Sequence, residues 1–376
     1  KPCSNYTKST MGDQHWYQLS ETKTASSPAL LVYPKRIEYN AALMLQIAED
    51  PDRLRPHIKT HKMAEIIQLQ LQLGIQKYKC ATLAEAELLA RTGAPDVLLA
   101  MQPVSIHLEN LIHLIKNYPK TKFSTLVDNQ ESLLDFKQTA LATNLIIDLW
   151  LDINNGMDRT GIKPGKEAEN LYKSIYKEPL LNPRGLHVYD GHIHTADPNE
   201  RAIECNTDFK PVIQLKEVLE SEGYPVPTII AGGTPTFPIH KKRKDVELSP
   251  GTPLLWDQGY GSQYSDLEFL PAAVLLTRII SKPEKNLICF DLGHKSVASE
   301  MQLPRVKFLG NHDFEQISQS EEHLVVKSKK SDSYSIGDTC YALPIHICPT
   351  VSKYAKVLTV ENQNITGSWV VSARDH

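Results

Sequence analysis

The basic segment RPHIKTHK (55–62) contains Lys59, in a chain of 376 residues whose formal net charge is −3. A lysine amine that is shielded from water holds its proton less tightly and can form a Schiff base with a carbonyl compound. The same residues could instead form a solvated basic turn. Lys59 is therefore a candidate nucleophile, provided that the fold encloses it.

Two glycine–threonine segments could hold a phosphate group. They are AGGTPTF (231–237), with Gly232, Gly233 and Thr234, and SPGTP (249–253), with Gly251 and Thr252. Glycine lets a phosphate approach backbone N–H groups that a side chain would cover. Each segment alone could be an ordinary turn. Together with a reactive lysine, they indicate pyridoxal 5′-phosphate (PLP) as the cofactor.

Two more segments bring polar groups to predicted strand ends. DINNGMDRTG (152–161) contains Arg159, and HVYDGHIH (187–194) contains Tyr189, His192 and His194. A single histidine in such a loop is often structural. Two histidines this close together favour an acid/base role for one of them.

The segment IHICP (345–349) could bind a metal ion. His346 and Cys348 would point the same way from an extended strand, so that nitrogen and sulfur could share one divalent ion. Two protein ligands leave coordination positions for water or substrate, as in catalytic metal sites. A buried histidine and cysteine facing a β core is the alternative interpretation.

Alternating strands and helices are needed to position these residues. From about residue 50, short apolar runs alternate with amphipathic helical stretches, several of which end at glycine, as Gly74 and Gly93 do. Eight such runs predict a (β/α)8 barrel, with a doubly wound open sheet as the alternative. The runs are RPHIK (55–59), KYKCA (77–81), DVLLA (96–100), KFSTLV (122–127), LIIDLWLDI (145–153), GLHVYD (185–190), PTIIAG (227–232) and DVELS (245–249).

The pattern changes after about residue 265 to short extended runs broken by turn residues. This predicts a second, C-terminal all-β domain, to which SPALLVY (27–33) could add a strand. The predicted domains are a barrel over 34–265 and a β domain over 1–33 and 266–376.

The composition of the chain limits which partners and which compartment are expected. Neither the net charge of −3 nor any apolar run gives reason to expect nucleic acid or a membrane as partner. The six cysteines are scattered, which favours a reducing compartment and predicts a cytoplasmic protein. The chain opens at Lys1, so a processed N-terminus stays open as an alternative.

Several motifs in combination make the chain resemble the D-threonine aldolase/D-serine dehydratase family, PLP enzymes of the alanine-racemase-like fold with an added metal site. The motifs are RPHIKTHK, KCATLAEAELL, GMDRTG, YDGH, AGGTPTF, SPGT, DLGHKSVASE and IHICPT. The resemblance implies that Lys59 bears PLP and that neighbouring cations help to hold it. It places Arg159 and Tyr189 near the cofactor ring and the two Gly-Thr segments around its phosphate. It makes His346 and Cys348 ligands of a divalent ion (Zn, Mn or Mg).

The resemblance further implies lysis or dehydration of a small D-configured β-hydroxy-α-amino acid. D-threonine aldolase, which forms glycine and acetaldehyde, is the favoured interpretation, with His192 or His194 as the base. The His-x-Cys pair instead favours a dehydratase of D-serine or 3-hydroxyaspartate, and an amino-acid racemase or a non-catalytic PLP-binding protein are lesser alternatives. The family also implies a homodimer, with each active site between the barrel of one subunit and the β domain of the other.

Overall fold

The structure is a computed structural model that describes residues 15–375. The chain forms two compact units. The first comprises residues up to Met44, Thr60–Ile66 and Thr252–Arg374, and the second comprises Leu45–Lys59 and Ile67–Gly251. The domain boundaries predicted above stay a prediction, and the part of the predicted β domain at 1–14 lies outside the described residues.

The second unit contains a sheet of seven parallel strands, curled into a half-barrel. The strands lie side by side in chain order, and each pairs with the next in parallel. This confirms the predicted alanine-racemase-like fold. The strands are β2 (Lys77–Cys80), β3 (Asp96–Leu99), β4 (Lys122–Val127), β5 (Ile147–Ile153), β6 (Leu181–Val188), β7 (Ile229–Ala231) and β8 (Val246–Leu248).

The predicted first barrel strand, RPHIK, is not a regular strand. An isolated parallel bridge joins the preceding residue, Leu54, to Leu248 of β8, and a second joins His57 to Lys79 of β2. The chain then continues as a 3-10 turn over Ile58–Thr60. Pro56 has no N–H group to donate, which interrupts a continuous ladder. The segment nevertheless runs between β8 and β2, so Lys59 lies where a first strand would end.

Ten helices connect or follow the strands of the described chain. The glycine ends expected for two of them are confirmed, since α3 is followed by Gly93 at φ +93° and α2 by Gly74 at φ +89°. The helices are α1 (Pro34–Ala48), α2 (Ala64–Gln72), α3 (Leu83–Thr92), α4 (Ile106–Asn117), α5 (Gln130–Thr143), α6 (Lys166–Lys177), α7 (Pro198–Ser221), α8 (Phe237–His240), α9 (Gln258–Gln263) and α10 (Ile347–Val351).

The interior of the half-barrel is charged at the strand N-termini and apolar above them. Arg55 is fully buried and pairs with Asp96 at 2.6 Å and with Glu247 at 2.7 Å. Above this ion cluster lies an apolar layer, and Trp150 at its centre is 1% exposed. The other members of that layer are Leu98, Leu126 and Ile230. The interior is thus a packed core, and polar groups of the site lie at the strand C-termini.

The first unit contains a mostly antiparallel sheet of nine strands. The strand predicted from SPALLVY is confirmed, because β1 (Ala29–Val32) pairs antiparallel with β9 and parallel with β15. The remaining strands are β9 (Ala273–Ser281), β10 (Leu287–Phe290), β11 (Val306–Phe308), β12 (Glu315–Gln319), β13 (Leu324–Lys327), β14 (Thr339–Pro344), β15 (Lys356–Glu361) and β16 (Asn364–Val370). Within residues 15–375, no helix combines the length and apolar character that a membrane span requires.

Candidate active site

Lys59, Tyr189 and Arg159 come together at the strand C-termini of the second unit. The Lys59 amine lies 5.8 Å from the centroid of the Tyr189 ring, and the Arg159 guanidinium lies 5.0 Å from the same centroid. Lys59 is partly buried and Arg159 is exposed. The negative face of an aromatic ring attracts cations, so Tyr189 helps to hold both groups. The structure therefore places these three predicted residues at one site.

The two predicted phosphate loops meet beside Tyr189. The N–H group of Gly251 donates to Oγ1 of Thr234 at 3.3 Å, although the residues are 17 positions apart. A Cβ atom added at Gly233 would lie 3.4 Å from Cε2 of Tyr189. Gly232, at φ +86°, makes the turn between β7 and this loop. Gly232, Gly233, Thr234 and Gly251 thus line one region next to the ring.

Asp190, which was not predicted, ties the first loop to the end of β6. One oxygen of this buried carboxylate accepts the N–H of Gly233 at 2.9 Å, and the other accepts Nε2–H of His240 at 2.8 Å. Burial raises the pKa of Asp190, but the hydrogen bonds and charge of His240 and the Gly233 hydrogen bond outweigh it, so the net pKa is lowered. Asp190 is therefore a charged anchor under the loop. The signal in the sequence was an acidic residue directly after a buried strand.

The predicted metal pair lies in the first unit, with a local geometry that differs from the expected one. The extended conformation expected for 345–349 is wrong, because β14 ends at Pro344 and Cys348 lies in the first turn of α10, which begins after His346. The Cys348 thiol still hydrogen-bonds the His346 ring. Sγ of Cys348 also lies 3.1 Å from Oγ1 of Thr60 and 3.9 Å from Oγ1 of Thr252. Thr252 thus contacts Cys348 within the first unit.

The surroundings of His346 suit a metal ligand. Its Nδ1–H donates to Glu300 at 2.6 Å, so the ring meets Cys348 through Nε2, the atom that an ion held between the two side chains would bind. A carboxylate on the second nitrogen is the usual partner of a metal-binding histidine, because it fixes the ring and raises its basicity. Burial lowers the pKa of His346, whereas Cys348 and Glu300 raise it, to a net value of about 9. A nitrogen and a sulfur donor together suit zinc best among the expected ions.

A second cluster of ligand-type residues is buried in the second unit, where Asp190, Cys205 and His240 place one donor atom each within 4.8 Å of one another. Its chemistry does not fit a metal ion. Nδ1 of His240 accepts from Arg243 at 3.1 Å, so its Nε2 carries the proton and faces Asp190. Burial and the charge of Asp190 raise the pKa of Cys205 to about 12. The cluster is therefore a hydrogen-bonded support of the loop.

The two predicted base candidates have different surroundings. Nε2–H of His192 donates to Asp208 at 2.8 Å, and its Nδ1 is buried without a hydrogen-bond partner among the described residues. His194 is exposed. Since Asp208 fixes the proton on Nε2, the lone pair of His192 is on Nδ1. This is the arrangement that orients a general base.

Comparison with known proteins decides the family. Residues 32–255 match the family described as "Alanine racemase, N-terminal domain", and residues 272–360 match "Putative serine dehydratase domain". The first match covers more than half of the chain. The protein belongs to the alanine racemase N-terminal domain family.

Individual members with similar sequence or structure have aldolase names. The chain is 26% identical over 354 residues to the D-threonine aldolase of Arthrobacter sp, covering 93% of this chain and 92% of that protein. It is 26% identical over 361 residues to the 3-hydroxy-D-aspartate aldolase of Paracoccus denitrificans, covering 93% and 92%. The crystal structure of D-threonine aldolase from Filomicrobium marinum superposes with a TM-score of 0.83 at 25% identity, covering 93% of this chain and 96% of that one. This family member is accordingly a PLP-dependent lyase.

The observed residues fit the family's cofactor. Lys59 supplies an amine beside the aromatic ring of Tyr189. Gly233, which has no side chain, leaves open space at the edge of that ring. Lys62 is the neighbouring alternative, but its amine donates to the backbone oxygen of Ala373 at 3.3 Å. Lys59 is thus the lysine of RPHIKTHK whose environment suits a covalent cofactor.

The expectation that the neighbouring cations of RPHIKTHK hold the cofactor is wrong for two of them. Arg55 already has two carboxylate partners, Asp96 and Glu247. The amine of Lys62 is bonded to Ala373. His61 is buried, which lowers its pKa to about 3, with a further decrease from Lys62, so its ring is neutral. The segment is basic in composition, but Arg55 and Lys62 make contacts inside the protein that leave Lys59 as its candidate for binding the cofactor.

Sequence reasoning placed Asp152 at the end of a predicted strand but missed two polar side chains near it, His187 and Lys79. His187 Nδ1 and Asp152 Oδ1 are 2.7 Å apart, and Nε2 of His187 is buried without a hydrogen-bond partner within the described chain. Lys79, on β2, lies 5.6 Å from the Tyr189 centroid. The available signal was a lysine between apolar neighbours in a strand that was already assigned to the barrel.

Proposed function

We propose that this protein is a D-threonine aldolase, which splits D-threonine into glycine and acetaldehyde. The observation that carries the proposal is Lys59, which faces Tyr189 at the strand C-termini beside the joined loops of Thr234 and Gly251. Similarity to D-threonine aldolase over 93% of the chain supports the substrate class, a D-β-hydroxy-α-amino acid.

In this proposal, Lys59 holds PLP covalently, and Tyr189 and Arg159 contact its ring. When bound, PLP supplies an acceptor for the electron pair that is released as the Cα–Cβ bond breaks. The hydroxyl of Thr234 is the proposed hydrogen-bond donor to the phosphate, because the N–H of Gly233 already donates to Asp190 and that of Gly251 to Thr234. Gly232, Gly233 and Gly251 contribute by leaving space for the phosphate beside the backbone. Thr252 stays a predicted phosphate contact of the same loop.

His192 is the proposed base for the aldolase path. Its Nδ1 takes the proton of the substrate β-hydroxyl, and Asp208 stabilises the positive charge that the ring then carries. His194 is exposed and has a smaller role in this proposal. Removal of this proton is required before the β-carbon can leave as an aldehyde.

His346 and Cys348 would hold the divalent ion, through Nε2 and Sγ. A bound Zn, Mn or Mg ion would supply a Lewis acid that makes the β-hydroxyl more acidic. Glu300 keeps the His346 ring oriented by accepting its Nδ1–H. The proposed role of the pair is therefore to hold this ion.

A dehydratase of D-serine or 3-hydroxyaspartate is the second candidate. It is favoured by one observation, the match of residues 272–360 to a putative serine dehydratase domain that contains both His346 and Cys348. In that reaction Lys59 would remove the Cα proton and the β-hydroxyl would leave. The same groups serve both reactions, so product analysis has to distinguish them.

A homodimer, which the resemblance implies, and a cytoplasmic location, which the scattered cysteines favour, are further parts of this proposal. The five cysteines of the described chain are free thiols, in keeping with a reducing compartment.

The test is incubation of the purified protein with D-threonine, D-serine and D-threo-3-hydroxyaspartate. Glycine and acetaldehyde from D-threonine support the aldolase, whereas ammonia and a keto acid identify a dehydratase. Lys59→Ala should abolish both the reaction and covalent labelling by borohydride, and Lys62→Ala should retain both. Labelling of Lys62 in place of Lys59 would refute the assignment.

A further inference from the structure

Lys79 is a buried amine with an unusual environment. It is 3% exposed, and its amine lies 5.6 Å from the centroid of the Tyr189 ring. No hydrogen bond or ion pair of its amine occurs in the described chain. A buried ammonium group without a counter-ion is costly, so the site either keeps Lys79 neutral or presents it to an anionic ligand.

The carboxylates nearest to Lys79 are already engaged. Asp152 accepts hydrogen bonds from His187, Thr160 and Gln102, and Asp190 accepts them from Gly233 and His240. Burial and the positive charges of Lys59 and Arg55 lower the pKa of Lys79. The negative charges of Asp190 and Asp152 raise it, and the net pKa is about 7. His187 also faces it, with a pKa that burial lowers and that Lys79 lowers further. Lys79 is thus ready to take up a proton when an anion arrives.

The order of the strands indicates which anion it would meet. The segment that carries Lys59 runs between β8 and β2, through the bridges of Leu54 to Leu248 and of His57 to Lys79. The phosphate loop of Gly251 follows β8, and Lys79 lies on β2, so the two flank Lys59 on opposite sides. On the pyridine ring of PLP, the phosphate arm and the 3-oxygen flank the aldehyde carbon in the same way.

We propose that Lys79 is a cofactor-binding residue that pairs with the ionised 3-oxygen of PLP. The proposal rests on the PLP site proposed above and adds to it a contact on the side of Lys59 opposite to the phosphate. Binding of the anion gives the buried amine its missing partner, and the pair forms out of contact with bulk water, where a charge-assisted hydrogen bond is strongest.

The test compares two ligands on the full-length protein after removal of cofactor. The probes are PLP and 3-O-methylpyridoxal 5′-phosphate, which keeps the aldehyde and phosphate but lacks an ionisable 3-oxygen. Wild type should bind PLP about tenfold more tightly or better. In Lys79→Met the ratio of the two Kd values should fall to about twofold or less, since methionine keeps the apolar stem and removes the charge.

Lys77→Met is the matched control, because Lys77 lies on the same strand but pairs with Glu247 at 2.7 Å. It should keep the wild-type ratio. Thermal unfolding of the cofactor-free variants checks the fold, and Lys79→Met should be at least as stable as wild type. An unchanged ratio in Lys79→Met, or an equal weakening of both ligands, overturns the contact with the 3-oxygen. Failure of wild type to bind either ligand through Lys59 overturns the PLP site itself.

Discussion

At the scale of single residues, the chemistry of a histidine is decided by what each of its two ring nitrogens contacts. His346 and His240 both lie beside a cysteine, and both have one ring nitrogen near a carboxylate. Glu300 accepts from Nδ1 of His346, which turns Nε2 toward Cys348, whereas Arg243 donates to Nδ1 of His240, so the proton of that ring is on Nε2. The first histidine can therefore bind a metal ion, and the second supports a loop.

Replacement of His192 tests the proposed base. His192→Asn should lower kcat by roughly 10²- to 10⁴-fold, the usual contribution of a general base, and should leave cofactor affinity unchanged. Asp208→Asn should cause a smaller loss, since it removes the group that orients the ring. The control is His194→Asn, with activity close to wild type. A large loss in the control and none in His192→Asn would exchange the two assignments.

Cys348→Asp tests the metal pair. Carboxylate oxygen is a harder ligand than thiolate sulfur, so the variant should bind an ion but shift its preference from zinc toward manganese or magnesium. His346→Ala should fold, keep PLP, lose the ion and lose turnover of β-hydroxy substrates. Metal content and activity after chelation and reconstitution measure both effects. A wild-type protein that keeps full turnover without any metal would contradict this role.

The lowered pKa of Lys79 also leads us to expect a particular pH dependence of stability in the cofactor-free protein. Its pKa is about 7 in the folded protein, against the ordinary value of 10.5. Between these values the unfolded chain binds one proton more, so stability should rise with pH, by up to about 1.4 kcal/mol per pH unit from this group. Wild type should therefore gain more in Tm than Lys79→Met when the pH is raised from about 7 to about 9. Parallel Tm curves would show that the amine is not buried as described.

At the scale of elements, β6, β7 and β8 together build the region where we propose that the phosphate binds. Each ends at the same edge of the sheet, and the residue that joins them is Asp190, which follows β6 and binds Gly233 after β7. The loop after β8 is then joined through Gly251 and Thr234. The loop conformation thus depends on three strands at once.

The two adjacent glycines of the first loop should respond differently to substitution. Gly232 has φ +86°, and a Cβ there would lie 2.9 Å from Cα of Phe237, so Gly232→Ala should destabilise the cofactor-free protein. Gly233→Ala meets Tyr189 at an ordinary contact distance of 3.4 Å, so it should fold normally and raise the Kd for PLP. Thermal unfolding and PLP titration separate the two. Equal stability losses would reduce Gly233 to a turn residue.

At the scale of the whole molecule, the proposed cofactor and metal residues fall in different compact units. Lys59, Tyr189 and Gly233 belong to the second unit, and His346 and Cys348 belong to the first. Sγ of Cys348 nevertheless lies 3.1 Å from Oγ1 of Thr60, the residue that follows Lys59 in the same chain. We therefore expect one subunit to supply both Lys59 and the metal pair, and mixing inactive variants tests this.

Lys59→Ala and His346→Ala should each be inactive alone and should stay inactive after unfolding and refolding together, because Cys348 contacts Thr60, the residue bonded to Lys59, within one chain. If the partner subunit supplied the metal pair instead, one site of a mixed dimer would receive both defects and the other neither. Random pairing would then restore about a quarter of the wild-type activity per subunit, and that recovery would contradict the assignment. Co-refolding of Lys59→Ala with wild type provides the control for recovery, and light scattering measures the dimer.

Much of the fold could be predicted from local patterns. The alternation of apolar runs and helices indicated the parallel sheet because strands buried on both faces are continuously apolar, as in IDLWLDI of β5. Gly93 indicated the end of α3 because only glycine enters the left-handed region without strain. RPHIK was misassigned as a strand, since a proline within a short run breaks the pairing ladder while leaving the apolar pattern intact.

The sequence by itself determined the parallel sheet and the added strand β1, and it predicted Lys59 as the reactive lysine and the two Gly-Thr segments as loops, because these features depend on neighbouring residues in the chain. Only the tertiary structure decided that Arg55 faces Glu247, that Asp190 holds Gly233 and His240, and that Lys79 faces Tyr189. The hydrogen bonds among these contacts join residues that are 43 to 192 positions apart in the chain, so no local sequence pattern encodes them. Whether a positive charge is neutralised within the protein or left for a ligand depends on such distant partners. Arg55 has two carboxylate partners, whereas the amines of Lys59 and Lys79 face the ring of Tyr189 at the candidate active site.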